Sequence, residues 1–426
     1  MTSQSNTASV ASDVPAAMPS QLSVYCIAAG AGIASMAMNF WLPLLPLYMQ
    51  ELGAGNQSSA LFWTAIANIA LGLARIVSGP LWGMVSDRIG RKPMFVRTLF
   101  CAAATIVIVA AAQAPWQVAL AFIVQGLLSG FIPAATALMS VSVPEERMSA
   151  SLSLVTGGQY LGTTLGPALG AALVVFFGFR GSMLVGAALP IVAALLVLTM
   201  VPRDAVTPRA PRAAGPRART SPMAMVRTLP VQFYVAVFLF FLLFAMNQLV
   251  RLLTPLALQD IVGRSSVAAV SGLAFSISGA AAVLGIVFIG QRYVRPGRLK
   301  LTLIVGTIVA AAATAALAFA HVVPVFIALF TVFSLVLAMM IPATNTLIAT
   351  NVSRERRGTG FGVASSAQAM ALMVGPITAA AFGGALSLGF LVGGALFVGI
   401  AVLVFFSVRE PRPFGGVVEA EAEAAS

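Results

Sequence analysis

Charge is what this sequence has least of. Only 8% of its 426 residues are Asp, Glu, Lys or Arg, against 59% in the apolar class AVILMFWYC, and the mean hydropathy is +0.98. A water-soluble domain carries about a quarter charged residues, so a soluble globular enzyme is excluded. Histidine occurs once, as His321, which excludes any site needing two, such as an HExxH zinc centre. There are two cysteines, Cys26 and Cys101, both inside apolar runs, where they read as small buried hydrophobes and not as a disulfide framework. No GxxxxGK[ST] phosphate loop is present and no soluble domain exists to hold a nucleotide, so ATP-driven pumping is excluded, and no cofactor or metal is called for.

What is present is a series of long apolar runs. A helix crossing the hydrocarbon needs about 20 such residues. Runs of that size lie at 23–50, 60–84, 94–113, 116–142, 149–177, 181–201, 231–259, 266–290, 301–321, 323–350, 357–384 and 387–408. They are continuous and not alternating, which predicts helices, not a barrel. The expected fold class is an all-α membrane protein of twelve transmembrane helices. Residues 1–20 are polar, without Lys or Arg, and lead directly into a full-length span, so no cleavable signal peptide is expected.

Orientation follows from the basic residues. Twenty of the 24 Lys and Arg fall on the side of the even-numbered connections and the C-terminus, among them Arg88, Arg91, Lys92, Arg298, Lys300 and Arg409, while Arg180 and Arg264 lie opposite. Both termini are therefore expected in the cytoplasm. The net charge of +12 is a topology signal facing anionic lipid and implies no nucleic-acid partner.

The longest connection is rich in Pro and Arg and has no apolar periodicity. The expected organisation is a disordered tail (1–21), a six-helix bundle (22–201), a basic linker (202–230), a second six-helix bundle (231–408) and a second disordered tail (409–426). The halves repeat at an offset of 209. IPAATALMSVSVPEER (132–147) lies over IPATNTLIATNVSRER (341–356); Gln159 falls on Gln368, Gly166-Pro167 on Gly375-Pro376, Pro46 on Pro255 and Glu51 on Asp260. Parallel six-span repeats imply two bundles with a site between them at mid-membrane.

Polar residues inside spans are costly and face a cavity or a partner helix. They are Asn39, Asn68, Arg75, Gln125, Gln159, Asn247, Gln248, Arg251, Asn345 and Gln368, and with Phe122 they make up the candidate substrate cavity. Spans 3, 6, 9 and 12 have none in their interiors and are expected to face lipid, the other eight surrounding a polar cavity. For any single Asn or Gln, an interhelical hydrogen bond remains the competing reading. Phe122, Gln125, Ser129, Pro133 and Thr136 are spaced to share one face of span 4. Arg75 and Arg251 lack an intramembrane acid to pair with; they read either as packed side chains or as markers of acidic or zwitterionic substrates. None of the twelve acids lies mid-span, leaving Glu51 and Asp260 as the membrane-edge candidates for proton sites, or as ordinary interfacial acids.

Between spans 2 and 3 stands GMVSDRIGRKP: Gly83 for close approach, Asp87 as acceptor, Gly90 for positive φ, and Arg88, Arg91 and Lys92 holding the turn inside. Span 5 carries Gly162, Gly166, Pro167 and Gly170, small residues every four positions that suit a packing face. These two stretches resemble the major facilitator superfamily. Its 2–3 signature is G-x-L-[SA]-D-R-x-G-R-[RK], here with Val85 for Leu, and its antiporter motif is G-x-x-x-G-P-x-x-G-G, here with Ala171 for the last Gly. The resemblance spans roughly 22–408 and is to the twelve-span drug–proton antiporters, of bacterial multidrug efflux type. It implies two pseudo-symmetric six-helix bundles, a secondary transporter of the bacterial inner membrane and a small-molecule substrate. It also implies protons as coupling ion, a monomer, and a cytoplasmic gate in which Asp87 and its loop stabilise the outward-facing state. One departure concerns coupling: where the branch has an Arg three residues before Gln-Gly in span 4, this chain has Phe122. Uniport or export of an anionic metabolite is the competing function, and a transceptor or lipid-handling protein is an alternative of another class.

Overall fold

A computed structural model describes residues 21–128, 130–143, 145–202, 229–290, 297–352 and 357–410. Residues 1–20 and 411–426 of the expected tails, and 203–228 of the linker, lie outside the described residues, while Arg409 and Glu410, expected in a disordered tail, are held by hydrogen bonds to Gln232 and to the start of span 9. Everything described is helix or short connection, without a strand. Among the described residues, eleven helical runs are long and apolar enough to cross a bilayer. One of them, Leu154–Met200, has 47 residues, about 70 Å at 1.5 Å per residue, over twice the hydrocarbon thickness. It is broken at Gly178 (φ 66°, ψ 178°), a conformation open only to glycine. It is therefore two spans, and the crossings among the described residues number twelve.

Other breaks were not anticipated. Span 4, expected as one helix, divides at Gly130 (φ 123°) into Pro115–Leu128 and Phe131–Ser142. The face drawn from Phe122 to Thr136 is consequently not continuous. Span 1 runs Gln21–Asn39, opens at Phe40 and Trp41, and resumes as a 3-10 turn (Leu42–Leu44), a short helix (Leu45–Met49) and a π-turn (Gln50–Ala54). Pro43 and Pro46 lack the N–H that would continue the helix. The turn between spans 2 and 3 shrinks to one residue. Gln57–Ile89 reaches Gly90 (φ 108°), and the next helix, Arg91–Ala110, starts at once.

Within the first half, span 5 lies against span 1 backbone to backbone. A methyl added at Gly162 would overlap the Gly32 carbonyl oxygen, and one at Gly170 the Phe40 carbonyl. In the second half Gly375, equivalent to Gly166, packs on Ala245 and Gln248 of span 7. The halves meet along spans 2 and 11, where Gly72 admits Met373, and along spans 5 and 8, where Gly272 and Gly279 admit Ala171 and Thr164. Spans 3, 6, 9 and 12 pack within their own halves. They leave large side chains such as Val107, Leu195, Ile308 and Phe406 exposed, a surface that water would not tolerate and acyl chains cover.

Two anchors occupy matching junctions. The buried Lys92 Nζ donates to the Leu198 and Val201 carbonyls at 2.9 and 2.5 Å, capping the end of span 6. At the offset of 209 from Val201 stands Glu410, whose carboxylate accepts from the Leu299 and Lys300 N–H groups at 2.8 and 2.9 Å, capping the start of span 9. A cation at a helix C-terminus and an anion at an N-terminus each oppose the local dipole.

Candidate functional site

A cavity of about 420 Å³ lies between span 5 of the first half and spans 7, 8 and 10 of the second. Span 5 contributes Tyr160, Thr163, Thr164 and Pro167; span 7, Phe244, Asn247 and Arg251; span 8, Phe275 and Ser278; span 10, Phe330, Ser334, Leu337 and Pro342. The helix of span 7, Val231–Val262, places Asn247 and Arg251 four residues apart, hence on one face. Pro167 and Pro342 each remove a backbone donor within a helix, so the walls can bend where they line the cavity.

Two of the lining hydroxyls are spent locally. Thr163 Oγ1 donates to the Gln159 carbonyl at 2.9 Å and Ser278 Oγ to the Phe275 carbonyl at 3.2 Å. Asn345 of span 10 interacts through its side chain with Tyr160 across the halves. The Arg251 guanidinium carbon lies 5.8 Å from the centroid of the Phe275 ring, within cation–π range. No carboxylate and no histidine is among the described lining residues.

Of the eleven residues assigned to a cavity from sequence, this one brings together Asn247 and Arg251. The others are elsewhere. Asn39 Nδ2 donates to the Ser35 carbonyl and Asn68 Nδ2 to the Thr64 carbonyl, both at 2.8 Å. An amide four residues above a carbonyl satisfies itself on its own helix and needs no hollow. Gln125 Nε2 meets the Met38 sulfur at 2.9 Å in a crevice with Thr98, Cys101 and Phe131. Phe122 is fully buried, edge-on to Trp41 with centroids 5.6 Å apart. Gln248 is buried against Gly375. Gln159, Gln368 and Arg75 are half-buried outside the lining, and Arg75 is engaged within the protein. The eight-helix polar cavity thus reduces to an apolar chamber with one polar face.

In the 2–3 motif, the side chains of Gly83 and Asp87 lie outside the described residues. Arg88 is exposed, Arg91 half-buried, and Lys92 is committed to span 6. Gly162, Gly166 and Gly170 hold span 5 on span 1, with Pro167 at the cavity wall.

At the end of the helices remote from the basic loops the halves touch. Gln50 Nε2 donates to Gln259 Oε1 at 3.1 Å, and Gln259 Nε2 donates back to Gln50 Oε1 at 2.9 Å. These two are 209 residues apart, so they are pseudo-equivalents meeting on the internal two-fold axis, an isologous contact within one chain. Beside them Gln57 Nε2 donates to Asp260 Oδ1 at 2.6 Å, and Gly383 packs on Ser58. Glu51 and Asp260 are both exposed here, outside the cavity. Sequence reasoning missed the Gln pair, although identical residues at the established offset, next to Glu51 and Asp260, were the available signal. It also missed Tyr160, Phe275 and Phe330, which nothing in the span pattern distinguishes from packing residues.

The fold and its duplicated halves can now be set beside known proteins. The Major Facilitator Superfamily family model matches residues 27–299 and 253–425. The chain belongs to the major facilitator superfamily. It is a multi-pass membrane transporter, not an enzyme. Curated relatives include the multidrug resistance protein MdtG of Proteus mirabilis, 27% identical over 392 residues, covering 90% of this chain and 92% of that protein. MdtG of Citrobacter koseri is 27% identical over 382 residues, covering 87% and 90%. Among solved structures, the nucleoside transporter NupG aligns with a TM-score of 0.68 at 16% identity, over 91% of this chain and 100% of that one. The human organic anion transporter MFSD10 aligns with a TM-score of 0.64 at 20% identity, over 90% and 99%. These likenesses carry the fold of the superfamily onto this member. Its chamber and its remote contact occupy the seam between the two bundles that the fold provides.

Proposed function

We propose that this transporter exports amphipathic small molecules from the cytoplasm across a bacterial inner membrane by alternating access, with proton uptake as the driving reaction. The observation that carries the reading is the chamber shared by both halves, with the Gln50–Gln259 pair joining the halves at one end. Rocking of two bundles about such a seam exposes it to each side in turn. The inside-positive rule assigns the basic ends to the cytoplasm, so the state described is shut toward the outside. The relatives named as multidrug resistance proteins support export of drug-like solutes. The span-5 glycines lock span 5 onto span 1 so that the first half moves as one body, and the Asp87 loop closes the cytoplasmic side in the opposite state.

Proton coupling is assigned to Glu51 and Asp260. Each adjoins a member of the Gln pair, so opening of the mouth changes its surroundings. A specific observation favours a second reading, uniport or export of an anionic solute: the chamber has a guanidinium and no carboxylate among its described lining residues. Efflux of a substrate panel from a pump-deleted host, with and without a protonophore, separates the two. Antiport stops when the gradient collapses, whereas uniport equilibrates. Retained ligand binding with no flux of any compound would refute transport and leave a receptor-like role. The transporter is taken to act as a monomer in the bilayer; intact mass measured in detergent checks this.

A further inference from the structure

Resting on the reading of the chamber as a substrate site, we infer that it selects amphipathic organic anions, and that Arg251 with Asn247 forms the subsite for the oxyanion. Arg251 is the one charged side chain among the described lining residues. Among those residues it forms no hydrogen bond or ion pair, and the ring of Phe275 is its aromatic contact. A guanidinium held away from water without an acceptor is costly. A packed structural Arg would have its donors filled by carbonyls; Arg251 lines the chamber with no such bond among the described lining residues.

The neighbouring side chains sharpen the selection. Asn247 sits one turn below Arg251 on the same face of span 7 and adds an amide N–H₂ to the guanidinium fork. That donor set matches a carboxylate, sulfonate or phosphonate, for which planar bidentate bonding from arginine is the strong arrangement. Thr163 and Ser278 have turned their hydroxyl protons onto their own helices, so they do not compete as donors. The rest of the wall, with Phe244, Phe275, Phe330 and Leu337, suits a flat apolar body. The volume falls in the range of drug-sized sites. A cationic drug meets the opposite situation. It finds no carboxylate among the described lining residues and is repelled by Arg251, so the same residue that attracts anions rejects cations.

The test uses the full chain in lipid nanodiscs and two fluorescent probes of nearly equal shape. Dansylglycine carries a carboxylate, and dansylglycinamide carries a neutral amide in its place. Binding is read from dansyl emission, with empty nanodiscs subtracted. The wild-type protein is expected to bind the acid at least about tenfold more tightly than the amide. Arg251→Gln should abolish that preference, and Arg251→Lys should keep a reduced one because charge survives without the fork. Equal affinity for acid and amide in the wild type overturns the inference, with no variant needed. An undiminished preference in a folded Arg251→Gln protein overturns it too. The readout does not depend on turnover. Acid preference without efflux from cells refutes the export reading and supports the anion subsite, whereas efflux without acid preference does the reverse.

Discussion

Removing the reciprocal amide contact should open the outer mouth by a predictable amount. Substituting Gln50 by Ala deletes both hydrogen bonds at once, because each partner is donor and acceptor to the other. A neutral intramolecular hydrogen bond contributes about 0.5–1.5 kcal/mol net, so two contribute about 1–3 kcal/mol. At a factor of ten per 1.4 kcal/mol, the outward-open fraction should rise by roughly 5- to 150-fold. The mouth has exposed residues such as Glu51 and Asp260 and keeps the Gln57–Asp260 bond, which favours the lower part of that range. Gln259→Ala should have the same effect, and the double variant little more, since the second substitution has nothing left to break. Replacing both by Glu adds like-charge repulsion of about 1 kcal/mol at 4 Å in water and about 4 kcal/mol at an effective dielectric of 20. That variant should open furthest. The assay is double electron–electron resonance between spin labels on the exposed positions Gln113 and Ser265, one on each half, in a cysteine-free background. The reasoning is refuted if Gln50→Ala and the double Glu variant leave the distance distribution at its wild-type form.

Three further outcomes follow from the geometry. Lys92→Met should remove the cap on span 6 and cost about 1.5–3 kcal/mol of stability, as for hydrogen bonds to a charged group; a lowered melting temperature in thermal size-exclusion chromatography checks it, and an unchanged one rejects the cap. Gly170→Ala should cost about 1–3 kcal/mol by overpacking against the Phe40 carbonyl, with Gly399→Ala, whose added methyl meets nothing, as the neutral control in the same assay. Asp87→Asn should impair efflux while membrane insertion, read by fractionation, stays intact; wild-type efflux from that variant removes the gate role.

The parts of the fold legible in the sequence were those that depend on lipid as solvent. Twelve apolar runs had to be helices because nothing else satisfies the backbone in hydrocarbon, and the offset of 209 exposed the duplication. The site was less legible because a polar residue in a span has several ways to satisfy itself. Asn39 and Asn68 chose carbonyls four residues back on their own helices, and Gln125 chose a methionine sulfur. Only tertiary packing decides among these. The two arginines show the same ambiguity: no carbonyl four residues back can absorb five guanidinium donors and a charge, yet Arg75 is engaged outside the chamber while Arg251 lines it. The breaks at Gly130 and Gly178 were hidden because a glycine needed for positive φ looks, in sequence, like the packing glycines at 162, 166 and 170.

The decisive measurement joins Gln50→Cys to Gln259→Cys with a short reducible bis-methanethiosulfonate in a cysteine-free transporter that retains efflux. If solute crosses only when the halves part at that mouth, tethering them there stops efflux, and a reductant restores it in the same vesicles. Efflux that continues at the unmodified rate in fully cross-linked protein would contradict the account.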